Sequence, residues 1–128
     1  MASILRVNTL TDASSNNSTA MSTINQGTAK AWVNFNGQNT IAARDSFNLA
    51  SLTDNGDGDY TITFSNNMAN ANYIINGTGE QLSSNDSVVV NKDYATAYTT
   101  SAARIAVTQG STRTNPVYAN FSNHGDLA

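Results

Sequence analysis

Short windows of strict apolar-polar alternation, cut apart by clusters of Asn, Asp, Gly and Ser, constrain this chain more than any other feature of it. In "AKAWVNF" Ala29, Ala31, Val33 and Phe35 fall on one face, and in "YTITF" Tyr60, Ile62 and Phe64 do the same. A period of two sends successive side chains to opposite faces, so each window reads as a half-buried strand. Further windows are "SFNLAS" with Phe47 and Leu49, "NYIING" across Tyr73 to Ile75, "SVVVNK", "ARIAVT" with Ala103, Ile105 and Val107, and "PVYANFS" with Val117, Ala119 and Phe121. The windows predict strands at 29–35, 46–53, 60–65, 72–77, 86–91, 102–108 and 116–122. Turn-rich clusters such as "NGQNT", "NGTGE" and "QGSTRTN" separate them. That spacing belongs to an antiparallel sheet rather than to alternating strands and helices. The expected fold class is therefore all-β: an antiparallel, jelly-roll-like β-sandwich over residues 29–128.

The first 28 residues depart from this pattern. "SILRVNTL" is compatible with a strand, but residues 14–20 form a polar run without an apolar anchor. "STAMSTINQG" then offers Ser18 as a helix cap, Met21 and Ile24 on one face, and Gly27 as a stop, which predicts a short helical turn. Residues 1–28 are expected to be an arm that packs against other chains through Ile4, Leu5, Val7, Leu10, Met21 and Ile24, with a frayed leader as the alternative.

Composition narrows the chemistry. Charged residues make up only 12% of the 128, about half the usual share, and neutral Asn, Ser, Thr, Ala and Gly fill their place. Trp32, four Phe and five Tyr supply a core, so the chain should fold. A net charge of −3 with singly scattered Lys and Arg gives no basic field for nucleic acid. With no cysteine, neither a disulfide framework nor a thiolate site exists. The opening apolar run is short and broken by Arg6, unlike a signal peptide or a membrane span, so synthesis in a cytoplasm is expected.

The segment "DNGDGD", Asp54 to Asp59, raises the question of calcium. A helix-loop-helix calcium loop needs oxygen ligands at alternate positions, Gly at the sixth and Glu at the twelfth. Counted from Asp54, the third and fifth positions are Gly56 and Gly58 and the twelfth is Ser65; counted from Asn55, the sixth is Tyr60. Both frames fail. The Asn-Gly and Asp-Gly pairs instead supply residues tolerant of positive φ, and the segment is read as a hairpin turn without a cofactor. Catalytic constellations are equally thin. His124 is the only histidine, no Gly-x-Ser-x-Gly turn accompanies it, and Glu80, Asp86 and Asp93 fall in or near apparent loops. No enzyme activity, metal or cofactor is expected. The Asn-x-Ser/Thr sequons at Asn16, Asn17, Asn76, Asn85 and Asn120 carry little weight in a chain this rich in those residues.

From Gly27 to Gly77 four segments follow in order: "AKAWVNFNG", "RDSFN", "LTDNGDGDYT" and "MANANY". In this order and spacing the chain resembles a module of bacteriophage structural proteins, the tail fibre heads of marine and cyanobacterial phages. The opening "SILRVNTLTDASSNNSTA" is similar to the leader preceding that module, so the resemblance covers residues 3 to about 77; the last third keeps only the strand pattern. Ala69 stands where the family often has Pro, and Asp57 where it often has a neutral residue. The resemblance implies a non-catalytic virion protein: a homotrimeric, β-rich tail appendage with a role in host attachment, anchored to other virion proteins of tail or capsid. A capsid decoration protein and a lectin-like carbohydrate-binding module stay open as alternatives. Localisation on the virion, no nucleic acid and no membrane insertion are expected.

If the arm anchors, outward loops should carry recognition of a host glycan or protein. The candidate loops are Gln81 to Asp86, Lys92 to Thr100 and Ser111 to Asn115, with Tyr94, Tyr98, Lys92 and Arg113 as expected contact residues. Tyr94 and Tyr98, four apart in "KDYATAY", are the sharpest pair, because exposed tyrosines stack on sugar rings and receptor surfaces; packing at the trimer interface is the alternative.

Overall fold

The structure is a computed structural model that describes residues 3–80 and 88–128. It is all-β and antiparallel, with a nearly closed sheet of nine strands. An N-terminal hairpin of β1 (Thr9–Thr11) and β2 (Ser18–Ala20) leads into the helix α1 (Met21–Gly27). The body follows: β3 (Ala31–Asn36), β4 (Ala42–Phe47), β5 (Leu49–Gly56), β6 (Asp59–Phe64), β7 (Ile74–Glu80), β8 (Val88–Lys92), β9 (Ala102–Gln109), β10 (Thr112–Arg113) and β11 (Tyr118–His124). Neighbours run β4-β3-β11-β7-β8-β9-β6-β5, with β10 on β9.

Alternation does what the period predicts. Ala31, Val33 and Phe35, Tyr60, Ile62 and Phe64, Ala103, Ile105 and Val107, and Ala119 and Phe121 all turn inward and are buried together. Phe35 and Tyr60 meet edge to face at 5.0 Å between ring centroids, and Phe64 and Tyr73 at 5.8 Å, so aromatic contacts join β3 to β6 and the end of β6 to the residue before β7. One end of the body is closed by Tyr60, whose hydroxyl lies 3.0 Å from the Gly37 carbonyl and 2.8 Å from Asn115 Oδ1. A Cβ on Gly37 would sit 2.4 Å from that hydroxyl, so only glycine leaves room for the plug.

The segment expected as one strand at 46–53 is two. Asn48 adopts φ +56° and breaks the pleat between β4 and β5. Phe47 consequently points outward beside Trp32, its partner in register, while Leu49 packs against the core. The corner is held by the Asn48 side chain. Its Nδ2 donates to the carbonyls of Lys30 (2.9 Å) and Asn66 (3.0 Å), and its Oδ1 accepts from the Asn66 backbone N–H at 2.6 Å. Asn48 thus ties the start of β3 to the end of β6 where the chain passes between the two edge strands.

The helix expected near residue 21 is present, but its cap is not Ser18. Ser18 belongs to β2, and Ala20 occupies the N-cap position without a side-chain hydrogen bond. The polar run before it forms a hairpin because Asp12 organises the turn. Its carboxylate accepts from the Asn16 backbone N–H (3.0 Å) and from Asn17 Nδ2 (2.8 Å), the Asn17 bond holding it below the usual carboxylate range. Nothing in residues 3–29 is buried, and Ile4 and Leu5 remain 74% and 80% exposed. Among the described residues no helix is long and apolar enough to cross a membrane.

Candidate functional site

The outer surface of the body has two polar regions of opposite character. On the side of β6, β9 and β10, four charges close on one another. Asp59 accepts from Arg104 through two bonds of 2.8 Å and from Arg113 Nη1 at 2.8 Å, and Arg113 Nη2 reaches the buried Asp93 at 2.5 Å. The Arg104 bonds draw Asp59 below the usual carboxylate range, and the Arg113 bond does the same for Asp93. The other Asp93 oxygen accepts from the Ala95 N–H at 2.9 Å, and Arg104 also reaches Thr96. The cluster fastens the loop after β8 onto the sheet, and its formal charge sums to zero.

Arg113, expected as a receptor contact, is engaged in this cluster. Lys92 is also turned toward the protein, donating to the carbonyls of Asp93 (3.0 Å) and Thr96 (2.8 Å), with Nζ 5.3 Å from the centre of the Tyr98 ring. The structure separates the two tyrosines that the spacing pairs. Tyr94 is 91% exposed, whereas Tyr98 stacks on Tyr73 at 5.1 Å with the rings 7° from parallel. The Tyr98 hydroxyl finds no hydrogen-bond partner among the described residues, and burial pushes it up to about 12. The loop at 81–86 lies outside the described residues. Most of the third loop is built into the fold: β10 pairs with β9, and Asn115 accepts from the Gly58 N–H (2.8 Å) and donates to Asp57 (3.0 Å).

The "DNGDGD" turn is a hairpin, with Gly56 and Gly58 at φ +129° and +59°. Its three carboxylates have separate protein donors: Asp54 takes the Gly56 N–H, Asp57 takes Asn115, and Asp59 takes the two arginines. They do not converge on a common point, and no group of three acidic or histidine side chains suited to a metal occurs among the described residues.

The second polar region lies on the outer face of β3, β11 and β7. Register places Trp32, Ser122 and Asn76 in one row across the three strands, and Asn34, Asn120 and Thr78 in the next. Asn34 Nδ2 donates to Asn120 Oδ1 at 2.5 Å, and Asn120 Nδ2 lies 3.5 Å from the Thr78 hydroxyl. β7 carries Gly77 and Gly79 at inward positions, where a Cβ would stand 2.7 Å and 2.6 Å from atoms of Val90 and Val88. Without those side chains the valines of β8 close over the backbone of β7, and the strand can lie nearer the core. A groove of about 440 Å³ runs along the outside here, lined by residues without formal charge. Trp32 borders it at 36% exposure, unusual for the only tryptophan of a chain. At the end of the same face Arg44 stacks 3.9 Å from the Tyr118 ring centre.

This face escaped the reading of the chain because its residues come from positions 32–34, 76–78 and 120–122, and only the sheet order joins them. The available signal was Trp32 at a solvent-facing position of an alternating strand. Comparison with protein-family models, with curated proteins and with solved structures found no match to this chain.

Proposed function

We propose that this chain is the β-rich head of a phage virion protein, a homotrimeric tail appendage with a role in host attachment. The observation that supports this most is the contrast between its two parts. The body buries a continuous core, whereas the arm leaves Ile4, Leu5, Val7 and Leu10 to solvent. Apolar side chains gathered on an arm with no core of its own are suited to burial against other chains. Closed threefold symmetry would satisfy three such arms without forming an open filament. The ordered motifs from Gly27 to Gly77 support the phage assignment.

Cryo-electron microscopy of the intact particle, with mass photometry of the isolated chain, tests this reading. The expected result is density on the tail in a small multiple of three copies, with trimers at micromolar concentration that fall apart when Ile4 and Leu5 are changed to Ser. A symmetric lattice of many copies on the capsid would assign the chain to decoration instead. Monomers of the unaltered chain would overturn the oligomer.

A further inference from the structure

We infer that the groove across β3, β11 and β7 is a binding site for a neutral oligosaccharide, with Trp32 as its apolar wall and Asn34, Asn76, Thr78, Asn120 and Ser122 as its hydrogen-bonding floor. The inference rests on the attachment reading above and names the chemistry that would be recognised.

Three features select this ligand class. The groove is of the size that holds small ligands, about 440 Å³, and no lining residue carries a formal charge. An anionic or cationic ligand would find no counter-charge in the lining. Next, the floor has hydrogen-bonding capacity to spare. Among the described residues the side chains of Asn76 and Ser122 make no hydrogen bond, and Asn34 uses only its Nδ2. Amides and hydroxyls both donate and accept, and the hydroxyls of a sugar ring do the same, so each can be matched. Finally, the indole supplies an apolar surface beside these polar groups. Adjacent strands lie about 4.8 Å apart and alternate residues about 6.8 Å apart along a strand, spacings on the scale of one pyranose ring.

A second copy of the chain suits the face less well. Interfaces between identical subunits are more apolar than the general surface, and a flat self-contact would leave amides of two adjoining rows competing for partners. An added peptide strand is also a poor occupant of the face, because β3 and β11 are paired along both edges, while β7 is paired to β11 along its length and to β8 at Thr78 and Gly79.

The chain carries its own reporter, since Trp32 is its only tryptophan. The 128-residue chain would be titrated with hexasaccharides of glucose, mannose, galactose and N-acetylglucosamine, and with hexagalacturonate as the anionic probe, while indole emission is followed. The expected result is a saturable change with at least one neutral hexasaccharide and a weaker one with the anionic probe. Calorimetry should then show about tenfold or greater weakening in Trp32→Ala and in Asn76→Ala, the size of loss expected on removing one good contact. Among the described residues the Asn76 side chain makes no hydrogen bond, so its replacement tests the site at little cost to the fold.

No saturable response to any neutral hexasaccharide, or unaltered affinity in both variants, would overturn the inference. A shift in Trp32 emission with protein concentration alone, insensitive to sugar, would give the face to a second copy and also overturn it. The attachment reading is separable: a chain that blocks phage adsorption yet binds none of the sugars would retain that reading and lose this one.

Discussion

Replacement of Asn48 tests whether one amide holds the corner between the two edge strands. Its side chain makes three short bonds, to the Lys30 carbonyl, the Asn66 carbonyl and the Asn66 N–H, and its backbone sits at φ +56°. At about 1 kcal/mol net for each bond, loss of the side chain costs about 3 kcal/mol. Alanine adds about 1–2 kcal/mol for the left-handed conformation, whereas glycine adopts it freely and loses about 0.5–1 kcal/mol through its greater freedom when unfolded. Asn48→Ala should therefore be destabilised by about 4.5 kcal/mol and Asn48→Gly by about 3.5–4. For 128 residues the unfolding entropy at the midpoint is about 270 cal/mol/K, so 1 kcal/mol corresponds to roughly 4 °C. Midpoints about 17 °C and 14 °C below the unaltered chain are expected by thermal scanning at one fixed protein concentration, with urea midpoints in the same order. A loss under about 1 kcal/mol in Asn48→Ala, or a glycine variant weaker than the alanine one, would refute the reasoning.

Two further outcomes follow from the loop after β8. Tyr94→Ala should change stability by less than about 0.5 kcal/mol, since its ring is exposed, whereas Tyr98→Ala loses the stack on Tyr73 and should cost about 3 kcal/mol; Tyr98→Phe should be neutral or slightly stabilising because the buried hydroxyl has no hydrogen-bond partner among the described residues, all read from urea midpoints. Asp59 and Asp93 are held below the usual carboxylate range by their arginines, so their contribution is fully present above that range and is lost as pH falls through the lowered folded values. Thermal midpoints should drop below about pH 4, and less steeply in Asp93→Asn, whose carboxamide no longer titrates.

Much of the fold was legible because burial in a half-exposed sheet imposes a period of two on every strand. Windows such as "AKAWVNF" and "ARIAVT" carry that period without interruption, and Ala31, Val33, Phe35, Ala103, Ile105 and Val107 lie in the observed core, while Ala29 precedes β3 and is only half-buried. The corner at Asn48 was not legible. Phe47 and Leu49 preserve the alternation across it, and an asparagine at positive φ has the same letter as one in a strand. The helix cap failed for a related reason: Ser18 has the chemistry of a cap, but pairing with Leu10 and its neighbours holds that segment extended. The charge cluster was beyond local reading, since Asp59 and Arg104 are 45 positions apart and only the pairing of β6 with β9 brings them together. Spacing of four between Tyr94 and Tyr98 gives a shared face on a regular helix or strand, and the segment forms neither.

The two polar regions show two opposite ways of arranging polar groups on a surface poor in charge. Where charges occur together they are consumed: Asp59, Asp93, Arg104 and Arg113 satisfy one another and fasten a loop, so they exert little net field outward. The face of β3, β11 and β7 is arranged in the opposite way, with neutral donors and acceptors left open beside an indole. Ion pairing and amide recognition differ in what weakens them. Exposed ion pairs fade as salt screens them, whereas neutral hydrogen bonds backed by an apolar wall depend on geometry and on exclusion of water. Rigid placement then matters more than charge, and the central position of β3, β11 and β7 in the sheet supplies it. β3 and β11 are paired on both sides and β7 is paired to β11 along its length, their inner residues Val33 and Phe121 lie in the core, and the outer rows inherit that fixed spacing. A loop bearing the same side chains would have to be ordered at the moment of binding; the sheet has already ordered them during folding.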